Sequence, residues 1–236
     1  MIKFCVQLFA LLTLTFVPSN PAFAQHPLVL RKLAEWNDAA PAPAEQIILS
    51  EVRNSLAVLY SQNPACRATD ISVRQVEPAT ADRYAFNGRV GGTLRNAWFV
   101  IVQIPSCDTA PVRFMVLQKA DASLKTIRVN RGTSYAWESL IADTFRSALL
   151  GAHIALKRNG LNCAAEEKPI VGVMRIASEE SDLGPVQFGV RYKGRWTEIW
   201  PIELCGRTAE VGIEFAADGD GGAYTHIVSD QTRVLP

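Results

Sequence analysis

The sequence predicts an α+β fold of two tandem repeats, each one helix packed on an antiparallel sheet of about four to five strands. Three observations predict it. A stretch that opens on tryptophan, alternates through apolar residues and closes on cysteine occurs twice, from Trp98 to Cys107 and from Trp196 to Cys205, about 98 positions apart. Each copy is followed by a polar turn and another alternating strand, Val112 to Leu117 and Val211 to Phe215. Upstream of each lies one more cysteine, Cys66 or Cys163, and before it an amphipathic helical stretch. Features recurring in one order at one offset read as a duplicated unit.

The first residues are set aside from the fold. Met1-Ile2-Lys3 forms a small basic region, Phe4 to Val17 is apolar, Pro18 to Pro21 breaks it, and Ala22-Phe23-Ala24 is a small-x-small cleavage site. The expectation is a signal peptide over 1–24, cut between Ala24 and Gln25, and a periplasmic or secreted protein. The apolar run is short for a bilayer span and ends without basic residues, so no transmembrane segment is expected in the mature chain. Cys5 lies inside the apolar region, so no lipobox is visible, and no Asn-x-Ser/Thr sequon occurs. The missing sequon favours a bacterial envelope or medium over a eukaryotic secretory route.

Cleavage leaves Cys66, Cys107, Cys163 and Cys205, an even count that in an exported chain reads as two disulfides. Each copy owns one pair at nearly equal spacing, so Cys66–Cys107 and Cys163–Cys205 is the economical pairing. Each bond closes a loop of about forty residues and contributes roughly 4 kcal/mol in the chain-entropy account. Geometry raises an objection. In a plain meander the start of the first strand and the end of the third lie at opposite ends of the sheet, yet a disulfide needs Cα atoms within about 7 Å. Either the sheet departs from a plain meander, the linker after each helix climbs along it, or the pairs cross between copies.

The elements follow in order, as a lead-in over 25–44, a first repeat over 45–132 and a second over 133–236. Gln25 to Asn37 carries Leu28, Leu30, Leu33 and Trp36, spaced for a short helix or an extended lead-in, and Pro41 and Pro43 punctuate it. Glu45 opens a helix whose stripe is Ile48, Val52, Leu56 and Leu59, and Asn63-Pro64 ends it. Strands are expected at Ile71 to Val76, Tyr84 to Val90, Ala97 to Ile104, Val112 to Leu117 and Leu124 to Val129. Ser134 is a plausible N-cap for the second helix. That helix has the stripe Trp137, Ile141, Phe145, Leu149, Ala152 and Leu156, with Gly160 as its C′ residue. Further strands are expected at Ile170 to Ile176, Val186 to Tyr192, Trp196 to Leu204, Val211 to Phe215 and Ala223 to Val228.

The order of elements is similar to that of cystatin-like folds, in which one helix lies across a curled antiparallel sheet. The similarity covers element order alone; no cystatin inhibitory motif occurs here. In the third strand, the first copy is apolar on both faces, which predicts burial on both. The second copy carries Glu198 and Pro201, which predicts an edge or a solvated side. The first copy's surplus apolar face is the expected contact if the sheets meet.

No residue pattern points to catalysis. The mature cysteines are better used in disulfides, and His26, His153 and His226 stand in no mechanistic setting. His153 reads as a half-buried structural residue and His226 as a cross-strand surface residue. Three scattered histidines give no zinc-ligand spacing, so no metal or cofactor is expected. Asp218-Gly219-Asp220-Gly221-Gly222 offers carboxylates for Ca²⁺ but lacks the closing Glu of an EF-hand; it reads as a hairpin turn. Glu179-Glu180-Ser181-Asp182 reads as a solvated turn, and Arg89, Arg128 and Arg131 as scattered surface cations.

Trp137, Trp196 and Trp200, with Tyr192 and Arg195, have the chemistry of a groove in which flat rings stack on a ligand and a guanidinium orients it. Core packing suits Trp137 and Trp196 better, leaving Trp200, Tyr192 and Arg195 as candidate binding residues. The 24 Lys and Arg balance 23 Asp and Glu, for a formal net charge of +1. That balance argues against a nucleic-acid partner and against electrostatic adhesion to a membrane. The expected function is that of an exported, non-enzymatic binding protein of the bacterial envelope, its partner a protein or a cell-envelope ligand. An exported hydrolase without a linear signature and a subunit of an envelope assembly are the alternatives.

Overall fold

The computed structural model describes residues 27–59, 70–106, 108–163 and 168–236. The expected signal peptide with its Ala24–Gln25 cleavage site, His26, Asn63-Pro64, Cys66 and Cys107 all lie outside the described residues. The chain is α+β: helices α1 (Pro27–Ala39) and α2 (Glu45–Leu59), strand β1 (Ser72–Pro78), helix α3 (Arg83–Val90), strands β2 (Leu94–Ile104), β3 (Asp108–Lys119) and β4 (Leu124–Gly132), then helix α4 (Glu138–Arg158). Strands β5 (Ile170–Val171), β6 (Val173–Glu179), β7 (Val186–Gln187), β8 (Val190–Arg191), β9 (Arg195–Leu204), β10 (Arg207–Ala217) and β11 (Ala223–Val234) follow. No helix of the described residues is long and apolar enough to cross a membrane.

One large mixed sheet runs β1-β2-β3-β4-β6-β9-β10-β11, with β5 also paired to β9, and β7 and β8 form a small sheet of their own. Every neighbouring pair is antiparallel except β4 and β6, which meet in parallel through Arg131 opposite Val173 and Gly132 opposite Met174. Gly132 has φ +83°, and a Cβ there would collide with the Met174 carbonyl. The junction therefore needs glycine. Thr133 N–H completes it by donating to Met174 O at 2.9 Å.

Two expected strands are not strands of the large sheet. The stretch from Tyr84 to Val90 is helix α3. Its apolar residues alternate, but Asp82 caps the first turn by accepting from Tyr84 N at 2.9 Å, and the cap overrides the period-two pattern. The stretch from Val186 to Tyr192 folds back on itself, because Phe188 (φ 52°) and Gly189 (φ 93°) form a left-handed two-residue turn between β7 and β8. This hairpin docks on the chain before α3: Ala81 N donates to Phe188 O at 2.9 Å.

Removing Val186 to Tyr192 from the sheet also removes the geometric objection to the disulfide. Strand β6 now lies directly beside β9, antiparallel, and β5 pairs Ile170 with Glu203 and Val171 with Ile202. The chain leaving α4 thus arrives at the end of β9. Cys163 and Cys205 are joined there, with their Cα atoms 5.8 Å apart.

Helix α2 packs Ile48, Val52 and Leu56 on Trp98, Val100, Val102, Phe114 and Val116, one face of β2 and β3. The opposite face, with Phe99, Met115 and Leu117, belongs to a second core shared with α4, β9 and β10. Strands β2 and β3 are buried on both sides, as their two apolar faces require. Of the expected stripe on α4, Trp137, Ala152 and Leu156 are buried while Ile141, Phe145 and Leu149 are half-buried; the other buried positions are Ser139, Leu140, Thr144, Ala148, Gly151 and Ala155, most of them one residue before a stripe position. Small residues win because they allow close approach. A Cβ on Gly151 would sit 3.1 Å from Val211 Cγ1.

Strand β9 is central rather than an edge, and Glu198 is 0 % exposed. The expectation of a solvated side fails because five donors meet that carboxylate. Trp196 Nε1 (2.9 Å) and Trp200 Nε1 (2.8 Å) donate from the same strand, and Ser134 Oγ (2.8 Å), Tyr135 N (2.8 Å) and Ala136 N (3.1 Å) from the turn before α4. Ser134 is therefore tied to Glu198 rather than capping α4, whose N-cap is Trp137. Arg113 of β3 approaches the same turn from the other side. It donates to Ser134 O at 3.3 Å and to Ala136 O, and lies 5.0 Å over the Phe99 ring. Burial lowers the Arg113 pKa to about 10, opposed by the Glu198 charge, so the guanidinium stays protonated at neutral pH.

Glu198→Ala strands those donors and leaves Arg113 buried without its counter-charge. We expect a loss of about 3 kcal/mol or more in urea unfolding. Replacing Arg113 by Met in the same chain should recover part of that loss; a double variant as unstable as the sum of the singles would contradict the coupling.

Candidate functional site

A cleft of about 610 Å³ opens between α1, the first turns of α3 and α4, and the β10–β11 turn. Trp137, Leu140, Leu33 and Tyr192 form its apolar floor, and Val29 and Phe86 stand at its rim. Trp137 is the inner end of an aromatic series. Its ring lies 6.4 Å from Trp196, which stacks on Phe215 at 5.1 Å, and Phe215 lies 6.1 Å from Trp200. The floor is thus braced by the same tryptophans that hold Glu198.

The polar wall comes from short local motifs. In the turn between β10 and β11, Asp218 Oδ1 accepts from Asp220 N at 2.7 Å and from Gly222 N at 3.0 Å. Gly221, at φ +83°, approaches the Tyr192 ring so closely that a Cβ would lie 3.3 Å from Cε1. On the facing side Arg83 pairs with Asp143 at 2.8 Å, both largely exposed. Thr144, only 2 % exposed, lines the cleft, and its Oγ1 has no hydrogen-bond partner.

Behind this wall Asp82 joins two helices. It is 0 % exposed, caps α3 through Tyr84 N, and accepts from Ser139 N at 2.9 Å at the start of α4, where Trp137 makes no side-chain cap. Burial raises the Asp82 pKa against the pull of these N–H donors. Burial also raises Glu138, reinforced by the nearby negative charges of Asp82 and Asp143.

Of the residues expected from sequence to bind, Tyr192 lines the cleft; it is 6 % exposed, and burial raises its phenol pKa. Trp200 is 0 % exposed and turned to the core. Arg195 is exposed on β9 and pairs with Glu214 at 3.3 Å. His153 is half-buried on α4, and His226 sits 3.6 Å from Glu214 across the strands. Arg89 lies 5.4 Å over the Trp36 ring, while Arg128 and Arg131 are on β4. Among the described residues no three His, Cys, Asp or Glu side chains converge as a metal-ligand group. Sequence reasoning missed Asp82, Arg83, Asp143 and Thr144. Only Asp82 had a local signal, an Asp at the start of a short helix, and it was hidden by the alternation from Tyr84 to Val90.

Because the folded pKa of Asp82 lies above its unfolded value near 3.8, the native state holds this proton more tightly. Its share of stability is full below that value and is lost as pH rises through the folded pKa. We expect the stability of the wild type relative to Asp82→Asn to fall over that window, and Asp82→Ala to cost about 1–2 kcal/mol throughout by uncapping both helices. Thermal unfolding at stepped pH checks both; equal slopes for wild type and Asp82→Asn would contradict the first. The chain matches no protein-family model, and neither the curated proteins nor the solved structures include one that it matches.

Proposed function

We propose that this chain is an exported binding protein of the bacterial envelope, built from a duplicated α+β unit over 45–132 and 133–236, that holds a ligand or partner segment in the cleft without catalysing a reaction. The repeat is supported by the order of elements. Helix α2 leads to β1, an interruption (α3) and the meander β2-β3-β4; helix α4 leads to β6, an interruption (β7 and β8) and the meander β9-β10-β11. Pairing registers support it too: Trp98 is flanked by Pro78 and Val116, and Trp196 by Glu179 and Phe215. Duplication makes Cys66–Cys107 the counterpart of Cys163–Cys205, and the covalent bond at the second site suits an oxidising compartment.

The observation that carries the binding reading is a cleft of about 610 Å³ with the exposed apolar side chains of Val29 and Phe86 at its mouth and a few polar groups along its wall, the usual make-up of a ligand site. Val29 offers a clean test, because it is 37 % exposed and stands at the mouth of the cleft. Val29→Trp should fill the opening with less than about 0.5 kcal/mol change in stability. Envelope components retained by immobilised wild type should be lost with Val29→Trp while its circular dichroism and melting point stay the same. Equal retention by both proteins would place binding elsewhere.

A further inference from the structure

We infer that the outer edge of β11 is an interface for a second copy of this chain. About a two-fold axis, β11 pairs antiparallel with β11 of the copy, and the two α4 helices pack against each other above the seam. The large sheet ends on two edge strands, β1 and β11. Edges are guarded against pairing by short length, charge, proline or a bulge. β1 has all of these: it is seven residues long, carries Arg74 and Glu77, shifts register between Val73 and Gln75, and ends on Pro78. β11 is twelve residues long. From Ala223 to Val228 it holds one register on β10, with no proline and no Lys, Arg, Asp or Glu, and its irregularity comes only after Val228.

Hydrogen bonding decides which main-chain groups of that stretch face outward. Asp218 N donates to Gly222 O across the turn at 3.1 Å, whereas Ala217 N donates the other way, to Gly194 O at 3.0 Å. Tyr224, His226 and Val228 therefore turn their peptide groups to β10, and Thr225 and Ile227 turn theirs to the open edge.

Helix α4 supplies the rest of the interface, since a specific dimer buries about 800 Å² on each copy, more than one short strand pairing provides. The helix lies over β10 and β11 and runs along β11: Thr144 lines the cleft with Thr225, Gly151 faces Ile227, and Arg158 lines a groove of about 380 Å³ with Thr232. Setting β11 about 4.8 Å from its copy thus brings the α4 axes, antiparallel, to about 10 Å, the separation of packed helices. The flank on that side, one residue per turn, is Asp143, Ser147, Leu150, Ile154 and Arg158. Its middle is apolar and open to water, with Leu150 61 % and Ile154 43 % exposed. Its ends carry opposite charges, and Asp143 engages Arg83 through Oδ1 alone. An antiparallel crossing centred on Leu150 and Gly151 sets each Asp143 against the partner's Arg158. A flank complementary to itself under a two-fold fits a second copy.

Sedimentation velocity of the mature chain, with its disulfide intact, tests the inference. A dimer should predominate at about 100 µM and dissociate on dilution toward about 1 µM. Leu150→Glu alters a side chain already open to water, so it should leave the melting point unchanged and weaken the dimer at least about tenfold. Thr225→Pro, which removes an outward N–H, should abolish it. Arg158→Glu and Asp143→Lys should each weaken their own dimers about tenfold through like-charge contacts. An equimolar mixture of the two should return to within about threefold of wild type, because each contact in the mixed dimer again joins opposite charges. A wild type still monomeric at about 100 µM would overturn the inference and leave the edge to an extended segment of another protein. So would a dimer that Leu150→Glu and Thr225→Pro leave intact, since it uses another surface. A mixture no tighter than its parents would overturn the two-fold crossing.

Discussion

The buried carboxylate of Glu198 is the constraint on which the rest of the arrangement depends. An ionised group in a protein interior is tolerated only when its lone pairs are met, and here two indoles, a hydroxyl and two backbone amides meet them. The two indoles belong to β9 itself. They fix the face that β9 turns to the core and hold Trp196 where it stacks on Phe215. The other donors belong to the turn from Ser134 to Ala136, so the point at which the chain enters α4 is fixed by a residue more than sixty positions later. Arg113 completes the arrangement by taking carbonyls of the same turn, which leaves its peptide groups engaged on both sides.

Fixing that turn fixes α4. The helix packs on β10 and β11, where Gly151 faces Val211 and Ile227, and its buried side chains join the same core as Phe99, Met115 and Leu117 of β2 and β3. Such a helix has little room on the sheet side, which explains why its buried face uses Ala148, Gly151, Ala152 and Ala155 while bulkier Ile141 and Leu149 lie on the flank. The parallel contact of β4 with β6 spans only two residue pairs and would be a weak seam by itself. The common core and the buried polar turn carry the join.

Much of this was legible in the chain. The α2 stripe Ile48-Val52-Leu56, the Trp-to-Cys strands and the Asp-Gly turn between β10 and β11 have periodicities or turn residues that local physics fixes. Two-sided burial of β2 could be read from its unbroken apolar run. What could not be read depends on partners distant in sequence. Glu198 looks solvated until five donors converge on it. Tyr84 to Val90 alternates like a strand, yet Asp82 and the start of α4 make it a helix. Trp200 and Tyr192 are both strand-adjacent aromatics, and only the fold of β7 and β8 decides that one is core and the other cleft wall.

The same constraint explains why a cleft exists where it does. Asp82 draws the first turns of α3 and α4 together by capping both, and the Glu198 turn holds α4 down on the sheet. The β10–β11 turn is kept on the Tyr192 side by its own internal hydrogen bonds and by the close approach of Gly221. Helix starts and hairpin are thus each fixed by short polar contacts, and none of the three is free to collapse onto Trp137. The cleft persists because the polar groups that position its walls hold one another in place. That is the condition under which a ligand meets a preformed site rather than having to build one.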